Sequence, residues 1–302
     1  MNKWLRRLLI LLALLAPAYY LLVLHSPASG TEFPLDIAKV RALANSVPGA
    51  KASELRYEHI LTLTFSEAMT MAGEPWRKYP MQINAYQLVF PDTTLMIDSA
   101  MNRATAQPAF LVALFDDAAY AHMNTALAKA SQIVITHEHM DHIGGIAAHP
   151  QLAALLPALR LTDEQLANPA GMKPAVLPAG VMQNYKPIHY DGMLAIAPGV
   201  VLIKSPGHTP GSQMVYVQRA DGRELLFLGD VSWRRLNIEQ LRERPLFMTL
   251  IIGEDRDAVL GEFKALHQLM QTEPKLSLVP GHDGEAVKAL TDAGLLLRGF
   301  KL

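Results

Sequence analysis

One run constrains this 302-residue chain more than any other: Thr136-His137-Glu138-His139-Met140-Asp141-His142. It stands directly after Ile133–Ile135, an apolar run with the character of a buried strand. Past a strand end, residues two apart still point the same way, so His137 and His139 can chelate one ion. Asp141 and His142 then turn towards a neighbouring ion as the chain enters a helix, expected from Ile146 onward. Gly144-Gly145 gives that tight turn room, because no Cβ stands in its way. The cluster therefore belongs at the C-terminal edge of a strand, where α/β folds place their sites. The chain has 11 histidines and no cysteine. Disulfides, thiolate nucleophiles and thiolate zinc sites are excluded, so a metal site here is built from His and Asp.

Two ions need more ligands, and they occur in the same setting. His208 lies in Ser205-Pro206-Gly207-His208-Thr209-Pro210-Gly211-Ser212, just beyond the apolar run Val200–Ile203. Asp230 follows Leu225–Leu228 through Gly229, and His282 follows Leu276–Val279 through Pro280-Gly281. Five histidines and two aspartates make a complete nitrogen and oxygen set for two divalent ions, zinc first, with iron or manganese as alternatives.

The rest of the chain reads as one α/β domain behind an apolar leader. Strands are expected at Ile60–Leu63, Tyr86–Phe90, Leu95–Ile97, Ile133–Ile135, Val200–Ile203, Met214–Val217, Leu225–Leu228 and Leu276–Val279. Helices are expected over Ala118–Ala130, Ala258–Met270 and Ala286–Leu297, the second amphipathic. Gly171–Gly180 is the expected long loop over the site. At the start, Lys3, Arg6 and Arg7 precede Leu8–Leu24, which is about 25 Å as a helix against a hydrocarbon core of about 30 Å. The basic flank places the N-terminus in the cytoplasm and sends the remainder outward. Ser26-Pro27-Ala28 offers small residues for signal cleavage. Residues 1–30 are thus a signal peptide or a membrane anchor, and 31–302 an exported, periplasmic domain. Twenty-seven basic residues face 28 acidic ones. Without the three bases of the leader, acids clearly outnumber bases, which disfavours a nucleic-acid partner.

The order of these motifs resembles the metallo-β-lactamase superfamily: HxHxDH, a His in a PGHTPGS turn, an Asp after a strand and Gly, then a PGH histidine. The resemblance runs from about Ile60 to His282. It implies an αββα sandwich with two metals in a cleft at the sheet edges, preceded here by the N-terminal hydrophobic helix. It implies His137, His139 and His208 on the first metal, Asp141, His142 and His282 on the second, and Asp230 bridging both. Asp98 matches the family's early aspartate, which orients a metal-binding histidine from behind. Two zinc ions about 3.5–4 Å apart would yield a bridging hydroxide that attacks an ester or lactone carbonyl. Asp141 would hold that hydroxide in line and carry a proton to the leaving group.

Departures from the family's patterns narrow the substrate to a small molecule. Lactamases with a cysteine ligand are excluded by composition, and the all-histidine lactamases lack the bridging aspartate that Asp230 supplies. Thioesterases of the glyoxalase type carry a basic C-terminal segment, against only Lys288, Arg298 and Lys301 here. Lactonases that cleave quorum signals share the ligands at similar intervals and the Pro280-Gly281-His282-Asp283 ending. They also place a tyrosine near the metals, for which Tyr185 and Tyr190 are the candidates. The lactonase-like members are therefore the nearest match. Thioester or phosphodiester hydrolysis, lactam cleavage as a side activity and iron-dependent oxidation are the alternatives. His59, His122, His149 and His267 have no partner spacing and are read as structural or solvated, His189 reads as a surface or turn histidine with a pocket acid as the alternative, and Trp76, Trp233 and Phe247 could line a pocket but give no signal of their own.

Overall fold

The computed structural model describes residues 2–28, 30–106 and 112–302. Eleven strands are found among them: β1 (Glu54–Ser66), β2 (Lys78–Val89), β3 (Thr94–Ile97), β4 (Val112–Phe115), β5 (Gln132–Val134), β6 (Met193–Ala197), β7 (Val200–Lys204), β8 (Gln213–Gln218), β9 (Glu224–Phe227), β10 (Leu276–Val279) and β11 (Leu297–Arg298). They form two sheets. One has the order β11-β1-β2-β3-β5 with β4 added on β1, and the other runs β10-β9-β8-β7-β6.

Alternation along the strands stacks these sheets. Leu95 and Ile97 of β3, Val200 and Leu202 of β7, Val215 and Val217 of β8, and Leu225 and Phe227 of β9 share one buried cluster between the sheets. The residues between them point the other way. Val201, Ile203, Met214, Tyr216 and Leu226 pack outward on the helix Arg256–Thr272 through Val259, Phe263, Leu266 and Leu269. On the far side, Ile60, Met96 and Ile133 pack under Ala119, Met123, Leu127, Ile143 and Ile146. A period of two that is apolar on both faces leaves only a sheet covered on both sides. The result is the expected αββα order of layers. Each fully buried Leu, Ile or Val contributes about 1.5–3 kcal/mol relative to exposure.

Strand direction then fixes where the chemistry goes. β3 and β5 are parallel, as are β9 and β10, while β8 runs antiparallel to both β7 and β9. The C-terminal ends of β7, β9 and β10 therefore meet at one edge of their sheet, and those of β3 and β5 at one edge of the other. The backbone N–H of Gln213 donates to the Thr136 carbonyl at 2.8 Å, which ties the two edges together.

Three expectations need correction. The helix after the histidine cluster begins at Met140, not Ile146, so Gly144 and Gly145 lie inside it. They do not make a turn. A Cβ on Gly145 would lie 2.0 Å from the Ser99 carbonyl oxygen, so glycine there lets the helix press against the segment that follows β3. The closing helix is Gly284–Asp292 and stops short of Leu297, because Gly294 at φ +68° turns the chain back. Leu297 and Arg298 instead pair with β1. Gly171–Gly180 is not a simple cover over the site, since Met172 and Leu177 are buried in the core.

At the N-terminus a helix covers Lys3–Tyr19 and continues as a π-helical turn over Tyr20–Leu24. Together they are long and apolar enough to cross a membrane, and nearly all of their side chains are exposed.

Candidate metal centre

Each candidate ligand stands just past a strand on the common edge. β5 ends before His137 and His139, and the new helix starts with His139 as its N-cap, carrying Asp141 and His142 in its first turn. β7, β9 and β10 lead to His208, Asp230 and His282. Gly229 adopts φ +52°, and a Cβ there would lie 2.8 Å from that of Thr136, so glycine lets the Asp230 turn close over the histidine loop.

The side chains gather in two groups. In one, His137, His139 and His208 bring ligand atoms within 4.8 Å of one another, and in the other Asp141, His142, Asp230 and His282 do the same. His137 Nε2 and His208 Nε2 lie 3.1 and 3.0 Å from His139 Nδ1. Asp230 joins the groups. Its Oδ2 lies 3.8 Å from His137 Nε2 and 3.6 Å from His208 Nε2, Oδ1 lies 3.3 Å from His142 Nε2, and His282 Nε2 lies between the two oxygens, 2.9 Å from Oδ1 and 3.1 Å from Oδ2. All seven predicted ligands are thus brought together, five of them buried. His139 and Asp141 alone are partly exposed, and they mark the open side of the cleft.

Buried partners hold the donors in place. Asp98, at φ +62°, accepts the Thr136 N–H at 2.7 Å and lies 2.9 Å from His142 Nδ1, so it orients that ring as the resemblance implied. His282 Nδ1 lies 3.0 Å from the Gln82 carbonyl of β2. His208 Nδ1 lies 2.5 Å from Glu254 Oε1, and Glu254 pairs with Arg244, both side chains buried. Trp233 Nε1 donates to Asp230 Oδ2 at 2.7 Å. Glu138 accepts from Thr209 Oγ1 and Asn168 Nδ2, which pins the histidine loop to the Thr209 turn.

Charge follows this geometry. Burial, reinforced by the neighbouring His142 ring, pushes His137 well below its usual range. Burial and the His208 ring bring His139 down to about 4. Both rings are thereby held neutral, the form that binds metal. Burial also disfavours charge on His142 and His282, but Asp230 and Asp141 outweigh it and raise both. Burial would raise Asp230, yet His282, His142 and His137 together hold it well below the carboxylate range. Two buried atoms of this group, His142 Nε2 and Asp230 Oδ1, have no aligned hydrogen-bond partner. Orphaned atoms facing each other in a nitrogen and oxygen donor set fit a divalent ion.

Several partners were not legible in the sequence. Trp233 lies three residues after Asp230, a spacing that could have signalled it. Arg244 and Glu254 bracket an apolar stretch without sign of burial. The tyrosine candidates are occupied elsewhere: Tyr185 Oη donates to the Leu159 carbonyl, and Tyr190 Oη donates to Gln213 Oε1 within the core. The aromatic group that bonds to the centre is Trp233. The unpaired histidines are structural or solvated as expected, with His59 on the Leu61 carbonyl, His122 on Glu58, His149 on the Asn124 carbonyl, His189 on Asp163 and His267 on the Ile238 carbonyl.

Fold and cleft define a class: an αββα sandwich whose sheet-edge loops assemble two adjoining His/Asp groups able to hold divalent metal. The profile of the metallo-beta-lactamase superfamily matches residues 79–282, and the chain belongs to that superfamily. An N-acyl homoserine lactonase of Bacillus thuringiensis is 29% identical over 157 residues, 52% of this chain and 57% of the relative. The chain thus spans little more than half the length of the lactonases it matches. A probable metallo-hydrolase, YqgX of Bacillus subtilis (strain 168), is 27% identical over 242 residues, 75% of this chain and 99% of the relative. Among solved structures, an N-acyl homoserine lactone hydrolase with its product N-hexanoyl-L-homoserine at the catalytic metal center superposes with a TM-score of 0.60. It is 18% identical, with 79% of this chain and 96% of that chain covered, a likeness of fold.

Proposed function

We propose that the chain is a dinuclear zinc hydrolase that opens the ester or lactone bond of a small molecule. The observation that carries this is Asp230, one buried carboxylate that stands within 3.8 Å of ring nitrogens from both donor groups. When bound, two divalent ions supply an acidified water and a Lewis acid for the carbonyl oxygen. The chain's own residues do the rest. Asp98, Glu254 and the Gln82 carbonyl fix the rings of His142, His208 and His282, so the cleft is organised before substrate arrives. Asp141 Oδ2, 3.5 Å from His282 Nε2 and 3.7 Å from His142 Nε2, sits on the open side, where it takes the proton released on attack and passes it to the leaving oxygen. Relatives named as N-acyl homoserine lactonases support a lactone as the preferred substrate. Residues 31–302 form the hydrolase domain, and residues 1–30 export it to the periplasm, as a cleaved signal or as an anchor.

A panel of N-acyl lactones, thioesters, phosphodiesters and β-lactams, offered to the zinc-loaded protein, tests this. Lactones are expected to give the highest kcat/KM. A phosphodiester or thioester turned over 100-fold better than any lactone would replace the proposed substrate class. Iron in the protein as purified, with turnover of oxygen or sulfur species, would replace hydrolysis itself.

A further inference from the structure

The cleft leaves one surface of the domain unexplained. The helix Leu246–Ile252 buries Met248 and Thr249, but Leu250 is 68% and Ile251 74% exposed, with Phe247 beside them on the same face. Trp76, 57% exposed and from a different segment, stacks on Phe247 with ring centroids 6.2 Å apart. Large apolar side chains clustered this way mark a surface that meets something other than water.

The neighbouring chain indicates what it meets. Trp76 Nε1 donates to Tyr19 Oη at 2.9 Å, and Gly73 N–H donates to the Val23 carbonyl at 3.0 Å. On the other side, Glu243 N–H donates to Ser26 Oγ at 3.3 Å. Both segments that build the patch are thus tied to the end of the apolar helix Lys3–Leu24. That helix spans 22 residues, of which the apolar run Leu8–Leu24 is about 25 Å long, the lower limit for a bilayer core of about 30 Å. Lys3, Arg6 and Arg7 stand at its far end, and Tyr19 and Tyr20 lie where aromatic residues mark the membrane–water boundary. Trp76, bonded to Tyr19, shares that depth. Lys78, two residues on and exposed, suits anionic headgroups.

We infer that Trp76, Phe247, Leu250 and Ile251 form a bilayer-facing surface that seats the domain in the interfacial layer. This rests on the proposal that Lys3–Leu24 is retained as a membrane anchor. The consequence reaches the cleft, because the helix Leu246–Ile252, which carries Phe247, Leu250 and Ile251, lies between Arg244 and Glu254, the pair that supports His208. Seating the helix holds the cleft near the lipid surface, where amphiphilic substrates concentrate.

The chain has no cysteine, so spin labels on single introduced cysteines report one position each. The full chain carrying Leu12→Cys, Leu250→Cys, Ile251→Cys or Asp221→Cys is reconstituted in phosphatidylethanolamine–phosphatidylglycerol vesicles. Asp221 is an exposed control in the β8–β9 turn, at the opposite edge of the sheet from the cleft. Power saturation is expected to show oxygen favoured over a water-soluble nickel chelate at 250 and 251, several-fold above 221, with 12 highest. If 12 is lipid-exposed while 250 and 251 match 221, the bilayer-facing surface is refuted and the anchor stands. If 12 is also aqueous, both fall. Dipolar broadening between labels at 250 on separate copies would make a second copy of the chain the occupant and overturn the proposal.

Discussion

Asp230 shows how little freedom a carboxylate between two donor groups has. Its Oδ2 lies near rings of both groups and accepts the Trp233 N–H at 2.7 Å, which holds the rotation of the carboxylate. Removing that donor leaves the carboxylate free to rotate. Trp233→Phe keeps an aromatic ring in the core while removing the N–H and is expected to weaken zinc binding about 10–100-fold, the scale of outer partners at metal sites. Competition with a chelator measures it, and an unchanged affinity would remove Trp233 from the centre. A second residue shapes pH behaviour. Glu262 is buried against the Gly207 N–H at 3.1 Å with its other oxygen unpaired, and burial pushes it up to about 8. Its folded value exceeds the usual 4.5, so its contribution to stability is full below about pH 4.5 and is lost as pH rises through about 8. Glu262→Gln is therefore expected to match the parent near pH 4.5 and to exceed its Tm increasingly up to pH 9. Parallel Tm curves for the two proteins would show that Glu262 does not titrate in that window.

Between elements, the Arg244–Glu254 pair joins the two ends of the Leu246–Ile252 helix and backs His208. Deleting one member leaves an uncompensated buried charge, at about 3–5 kcal/mol. Arg244→Met is expected to lower stability by that much in a denaturant titration and to weaken zinc retention as His208 loses its support. A loss below about 1 kcal/mol would mean that Glu254 finds other compensation. Elements also divide what the sequence could reveal. Strands β3, β7, β8, β9 and β10 are short apolar runs buried on both faces, so composition alone marks them. β4 and β11 were missed because they depend on distant pairing, such as Arg56 with Leu297, and β6 because the short Ala-containing run Met193–Ala197 gains its strand character only as the hairpin partner of β7. The seven candidate ligands were legible because each sits in a local strand–turn setting. Their supports were not, since Gln82, Trp233, Arg244 and Glu254 acquire their meaning only when β2, β9 and the later helices meet at one edge.

For the whole molecule, two stacked sheets bring five strand ends to one side, and the two donor groups follow from that topology. The direct test is the number of zinc ions bound per chain, read by elemental analysis together with lactone hydrolysis, in the parent and in Asp230→Ala. Two zinc ions per chain with hydrolysis are predicted for the parent, and loss of both in a folded Asp230→Ala. An Asp230→Ala protein that keeps two metals and full activity would contradict the account.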